Sequence, residues 1–288
     1  MKGNVLTWMC CVFFPLQVYS WNAVGHRMIA HIAVNHLTPG ASIRFNAYNH
    51  VLDKPGRPQT LVSSAVWLDT FYRRGSRSWD SMHYLDFPFS VDGSPLPRPQ
   101  QMNALLAIQE AQHLLLNPQA SLRTRALALR ILLHVVGDLH QPLHAATRIS
   151  KQFPNGDRGG NLTRSPTHLG PTNLHTYWDR GAGLFARRIR AQTIKRAADA
   201  LDTRRPCQVD QMDLNPVHWA AESHALAIHR AYHFTDPHYQ RMAMRVVEER
   251  IVLAGCRLAA VLNALDRQYA YKPCPIKMTT TLPRTSIG

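Results

Sequence analysis

Residues 121–144 read SLRTRALALRILLHVVGDLHQPLH. Ser121 is a helix-capping residue type, and the run 121–139 becomes apolar on every side rather than along one stripe. The stretch is therefore predicted as a helix at the centre of a core. Pro142 helps end it. Within this apolar helix stand His134 and Asp138, four residues apart and so on one face. An unpaired Asp in such surroundings is costly. A cation between the two side chains offsets that cost, and His144, just past the helix end, can turn back to the same cavity. The alternative is a buried His–Asp hydrogen bond that needs no ion.

Further helical patterns flank this one. Residues 24–36 carry apolar positions on one face, and 60–73 and 101–116 look helical. In 237–268, Ala243, Val247, Ile251, Ala254, Leu258, Leu262 and Leu265 recur every three or four residues. A Pro-rich loop spans 87–100, and a Gly-rich one containing Gly156, Gly159, Gly160 and Gly170 spans 150–173. Strand-like runs are few, and neither a repeat nor a linker interrupts the chain. The expected fold class is all-α (mainly α), a single multi-helix domain over residues 21–272, with a poorly ordered tail at 273–288.

Residues 1–20 read as a signal peptide: Lys2, then the apolar run VLTWMCCVFFPLQV at 5–18, then a cleavage position after Ser20. Cleavage there makes Trp21 the first residue of a secreted or periplasmic protein. The remaining chain holds no transmembrane segment. Its cysteines, Cys207, Cys256 and Cys274, allow one disulfide with one thiol left over, and their spacing leaves the pairing open. The absence of a C-x-x-C argues against a thiolate zinc site. The net charge of +15 and pI of about 10.2 favour polyanions such as nucleic acid or anionic lipid as partners.

All 16 histidines lie beyond residue 20. One histidine alone is ordinarily a surface or satisfied core residue, so the signal lies in pairing with Asp. The spacing of His134 and Asp138 recurs in His175 and Asp179. Two such units with a further His after the first point to a polynuclear metal site, and His and carboxylate ligands suit zinc. Three weaker segments add His26 in the first turn of the first helix, Asp69 on an apolar stretch, and His83 in a short extended run, 82–86.

Together these segments resemble the S-one/P-one type of zinc-dependent single-strand nucleases. The resemblance runs in family order from residue 21 to 179: Trp21-x-x-x-Gly25-His26, Trp67-x-Asp69, His83-Tyr84-Leu85-Asp86, His134 through His144, Gly159-Gly160-Asn161, and Asn173-Leu174-His175 with Trp178-Asp179. Beyond 180 only Trp219, Glu222 and Ser223 offer a faint match. The resemblance implies the phospholipase C/nuclease type of helical fold and three zinc ions. Asp69, His83, His134 and Asp138 would hold the first. His144, His175 and Asp179 would hold the second. The α-amine and carbonyl of Trp21, with His26 and a shared Asp138, would hold the third.

The implied activity is endonucleolytic hydrolysis of single-stranded DNA and RNA to 5′-phosphate products, with 3′-nucleotidase action on mononucleotides. The metals activate water and stabilise the leaving 3′ oxygen, so no Ser or Cys nucleophile is required. The enzyme is expected to be a monomer without a stable protein partner. Tyr84 would stack on a base, Asp86 would accept hydrogen bonds from the base edge, and Asn161 would assist. The family's basic residue three after Asp69 is here Tyr72. Arg73 and Arg74 follow, and either would serve as the phosphate clamp on a slightly offset helix, with Arg73 the expected one. His31, His36 and His140 lie near the motifs and are candidates to support the ligands. Asn161-Leu162-Thr163 also fits a glycosylation sequon, although its setting favours an active-site loop.

Two other classes are weighed. A zinc-dependent phospholipase C shares the fold and the N-terminal ligand, but it spaces Trp and His more widely and ends its ligand set on Glu. A non-catalytic nucleic-acid- or zinc-binding protein accounts for the charge but not for a complete set of nine ligand positions.

Overall fold

The computed structural model describes residues 21–70, 79–98, 103–165, 173–185 and 190–271. In chain order its helices are α1 (Ala23–Asn35), α2 (Pro39–His50), α3 (Leu61–Ser64), α4 (Ala104–Leu116), α5 (Leu122–Leu139), α6 (Leu174–Asp179), α7 (Ala191–Arg204), α8 (Pro216–Leu226) and α9 (Tyr239–Tyr271). Short 3₁₀ turns lie at Asp80–His83 and Pro142–Ala145, and a π-turn, Ala227–Ala231, follows α8. Two three-residue strands, β1 (Pro88–Ser90) and β2 (Thr147–Ile149), pair in parallel with Phe89 opposite Arg148. The fold is mainly α and a single domain.

The sequence pattern explains why α5 is the axis. Ser121 caps it, accepting from Thr124 N at 3.1 Å, and every residue from Ala128 to Leu139 is buried. Helices α4, α1, α2 and α9 surround it, and α7 packs on the outer side of α1. The stripe of α9 read from the sequence is buried throughout. A disulfide joins Cys207, after α7, to Cys256 on α9, which settles the open pairing. Cys274 and the expected tail lie outside the described residues, as does the expected signal peptide. Among the described residues no helix is long and apolar enough to cross a membrane.

The expected helix at 60–73 is corrected. Helix α3 stops at Ser64, residues 65–68 turn, and helical conformation resumes only at Asp69 and Thr70. The carbonyl of Ala65 accepts from His134 Nδ1 at 2.7 Å, so the chain breaks its ladder where it supports a site residue. Helix α2 was not anticipated. Thr38 caps it and Pro39 opens it, but its face is weakly apolar.

Candidate metal centre

Helix α5 sets the first cluster. Helix α1 crosses so closely that the His26 ring stacks on His134, with centroids 3.8 Å apart and planes at 16°. Gly137 permits this approach: a Cβ there would lie 3.0 Å from His26 Nδ1 and 3.1 Å from Ile29 Cδ1. His26 Nε2 stands 3.2 Å from Asp138 Oδ1. His83 Nδ1 lies 3.0 Å from Asp138 Oδ2 and 3.1 Å from His134 Nε2. Asp69 Oδ1 approaches His134 Nε2 at 3.5 Å. The expected extended setting of His83 is corrected: it closes the turn Asp80–His83, and the backbone becomes extended only at Tyr84.

The second cluster joins the turn after α5 to helix α6. His144 and His175 face one another through Nε2 at 3.2 Å, and Asp179 is 3.7 Å from His144 and 3.5 Å from His175. Gln141 steadies the carboxylate, donating to Asp179 Oδ1 at 2.8 Å while accepting from Leu143 N at 2.6 Å. Gly159 has φ +59, and a Cβ there would run into the Leu143 carbonyl. Its own carbonyl accepts from His175 Nδ1 at 2.8 Å.

Three rings share one design. His134, His144 and His175 donate Nδ1–H to the carbonyls of Ala65, His83 and Gly159, which directs Nε2 of each ring toward the cluster. Imidazole nitrogens that face one another beside carboxylates form a cation-ligand arrangement. Oδ1 of Asp138 and Oδ2 of Asp179 are buried and meet only the cluster's own imidazoles, His26 at 3.2 Å and His175 at 3.5 Å, without a well-aligned hydrogen bond, the condition expected of atoms that share an ion with those rings. The donor set fits zinc.

At His134 and Asp138 the electrostatics agree with that reading, while at His144 a metal must displace a proton. Burial holds the His134 imidazolium well below its ordinary range, outweighing the attraction of Asp138. Burial pushes Asp138 upward, but His134, His26 and His83 overcome it and keep the carboxyl well below its usual value. Burial opposes the charge on His144, yet Asp179 and Asp138 raise it to about 9.

Residue 21 sits between the clusters. The Trp21 indole donates to Gly137 O at 2.9 Å, and Asn22 N donates to Asp179 O at 3.0 Å. Tyr84 and Asp86 follow His83 directly. Asp86 is left-handed, at φ 45, a conformation Asp tolerates, and burial raises its carboxyl to about 7. Asn161 is buried, its amide donating to Arg158 O at 2.9 Å, so it is turned into its own loop. Arg73, Tyr72 and Arg74 lie outside the described residues.

Sequence reading missed Asp157. Fully buried, it accepts from Arg148 N, Gly160 N, the Thr163 hydroxyl and the Tyr232 hydroxyl, and so shapes the loop that offers Gly159 O to His175. An acid within a Gly-rich run was the available signal. Of the proposed supporting histidines, only His140 lies under the centre: its Nε2 meets Arg257 at 3.0 Å in a network with Arg250, Glu222 and Ser223. His31 and His36 instead pair with Asp199 and Asp202 of α7, at 2.7 and 2.8 Å. His36, Asp202 and Cys207 also come together, but the disulfide occupies that sulfur.

Residues 21–266 match a family model described as S1/P1 Nuclease. Endonuclease 4 of Arabidopsis thaliana is 25% identical across 95% of this chain and 98% of its own length. Nuclease S1 of Aspergillus oryzae is 25% identical, covering 87% and 93%. Nuclease P1 of Penicillium citrinum is 26% identical over 55% of this chain and 57% of its own.

Proposed function

The chain belongs to the S1/P1 nuclease family, and from that premise we propose that it is a secreted endonuclease, dependent on three zinc ions, that hydrolyses single-stranded DNA and RNA to 5′-phosphate products and also removes 3′-phosphates from mononucleotides. The observation that carries this reading is the convergence of five imidazoles and three carboxylates into two adjoining buried clusters. In this reading Asp69, His83, His134 and Asp138 hold one ion, and His144, His175 and Asp179 hold a second. Trp21, through its α-amine and carbonyl, His26 and the shared Asp138 hold a third. Bound zinc supplies Lewis acidity and lowers the pKa of water to about 7.

The chain's own groups orient and discriminate. Backbone carbonyls fix the ring tautomers, so the ligands are organised before any ion arrives. Tyr84 stacks on a base, and Asp86 accepts from the base edge in its ionised form. Asn161 contributes by holding the loop beside them, and Arg73 clamps phosphate. A site that grips an unstacked base favours single strands over duplexes.

The test compares matched single-stranded DNA, single-stranded RNA, duplex DNA, a 3′-mononucleotide and phosphatidylcholine vesicles. Cleavage of both single strands well above duplex, with no lipid turnover, is expected. Lipid-only hydrolysis would overturn the proposal in favour of a phospholipase.

A further inference from the structure

A groove away from the His/Asp clusters runs between the end of α8, the π-turn and the first three turns of α9, with a volume of about 490 Å³. Arg230 of the π-turn faces Arg241 and Arg245 of α9, and His238 closes one end. All four are exposed. The three arginines make no ion pair or side-chain hydrogen bond among the described residues. The one carboxylate among the described residues lining the groove, Glu249, is engaged by Arg205 at 3.1 Å. Arg241 and Arg245 are one helical turn apart, a like-charge pair that works against the helix. The floor is apolar: Leu226, Met242 and Val246, all at least partly buried.

We infer that this groove is a second binding site, for the sugar–phosphate backbone of a single nucleic-acid strand, with Arg230, Arg241 and Arg245 on the phosphates and Leu226, Met242 and Val246 under a base or sugar. The inference rests on the nuclease reading and extends it to how a long substrate is held. Planar guanidinium groups fit phosphate with paired donors, and apolar surface beside cations suits stacked bases without sequence preference. An anionic membrane is the poorer match. Insertion into lipid needs apolar groups that protrude, whereas here they lie recessed beneath an arginine rim.

The groove is tied to the metal centre. The π-turn packs on the Pro142–Ala145 turn that carries His144. His224 Nδ1 donates to Ala145 O at 3.0 Å, and the Tyr232 hydroxyl donates to Asp157 at 2.8 Å. One wall of the molecule therefore packs against both sites.

The experiment uses the metal-loaded protein and an Arg241→Ala/Arg245→Ala double variant. The probe is a fluorescent, cleavage-resistant phosphorothioate strand longer than about 16 nucleotides. The variant should bind the strand at least ten-fold more weakly. The slope of log K against log salt should flatten by about 1.4, or about 0.7 for each lost phosphate contact. KM for a long strand should rise, with kcat/KM for a 3′-mononucleotide unchanged. Equal affinity and slope in the two proteins would overturn the inference. So would mononucleotide turnover that falls in step with strand cleavage, or a variant that loses binding to phosphatidylserine vesicles but not to the strand. A native protein that binds the strand through these arginines yet cleaves nothing would overturn the nuclease reading and leave this site standing.

Discussion

Asp157→Asn probes the metal centre without touching a ligand. The Asn keeps Oδ1 for the backbone N–H groups of Arg148 and Gly160, at 3.0 and 3.1 Å, and for the Tyr232 hydroxyl. Burial and the adjoining Asp157 keep that hydroxyl protonated, so it can only donate strongly. The damage falls on the other oxygen. Oδ2 accepts from Thr163 at 2.6 Å and faces Arg148 Nε at 3.7 Å, and an amide NH₂ there meets donors. Thr163 already accepts from Arg148 Nη2 at 2.9 Å, and if it turned its second lone pair to the amide its own O–H would lose its acceptor. Losing one charged hydrogen bond costs about 1.5–3 kcal/mol. Setting donor against donor takes the total to about 3 kcal/mol, a melting decrease of roughly 6–12 °C at this chain length.

The functional effect should exceed the thermal one. Asp157 fixes Gly160, and the carbonyl one residue earlier orients His175. Loss of such support lowers metal affinity about 10–100-fold. Zinc retained against a graded chelator should fall by about one ion per chain, with single-strand cleavage falling alongside. Tyr232→Phe, which removes one hydrogen bond of about 1 kcal/mol and keeps the carboxylate, should retain its zinc. A lower melting temperature with unchanged zinc retention and kcat in Asp157→Asn would refute the link from Asp157 to His175.

Three further outcomes are expected. One extra residue before Trp21 should reduce activity by at least about ten-fold while leaving the fold intact, because the α-amine is displaced; full activity would remove Trp21 from the ligand set. Glu222→Ala should destabilise the fold by about 2 kcal/mol in urea titration by leaving Arg250 and Arg257, both buried, without their carboxylate, less than for a fully buried pair because the Glu222 side chain is 39% exposed; a change within about 0.5 kcal/mol, roughly the scatter of surface sites, would contradict this. In the metal-free chain His144 titrates at about 9, above its ordinary 6.5, so its pairing with Asp179 stabilises fully below pH 6.5 and is lost as pH rises through 9. Zinc must displace that proton near pH 7, so the binding enthalpy should vary with the ionisation enthalpy of the buffer, and a buffer-independent value would argue against the assignment.

The strongly patterned elements were legible because burial leaves a direct mark on sequence. Helix α5 starts one residue from its predicted position, and the stripe of α9 is wholly internal. His134 and Asp138 stood out because a polar pair on an apolar helix demands compensation. What escaped was set by tertiary contacts. The break after Ser64 follows a carbonyl given to His134, a partner 69 residues away. Asp157 draws its donors from β2, its own loop and the segment after α8. His31 and His36 lie close in sequence to His26, but they point at α7, on the outer side of α1.

The central claim is that the His and Asp clusters hold zinc for phosphodiester hydrolysis. The most direct measurement is elemental analysis of the protein beginning at Trp21, paired with a single-strand cleavage assay before chelation, after chelation and after zinc is restored. The account predicts three zinc ions per chain, activity abolished by the chelator, and recovery on adding zinc back. One ion or none, with cleavage indifferent to the chelator, would contradict it.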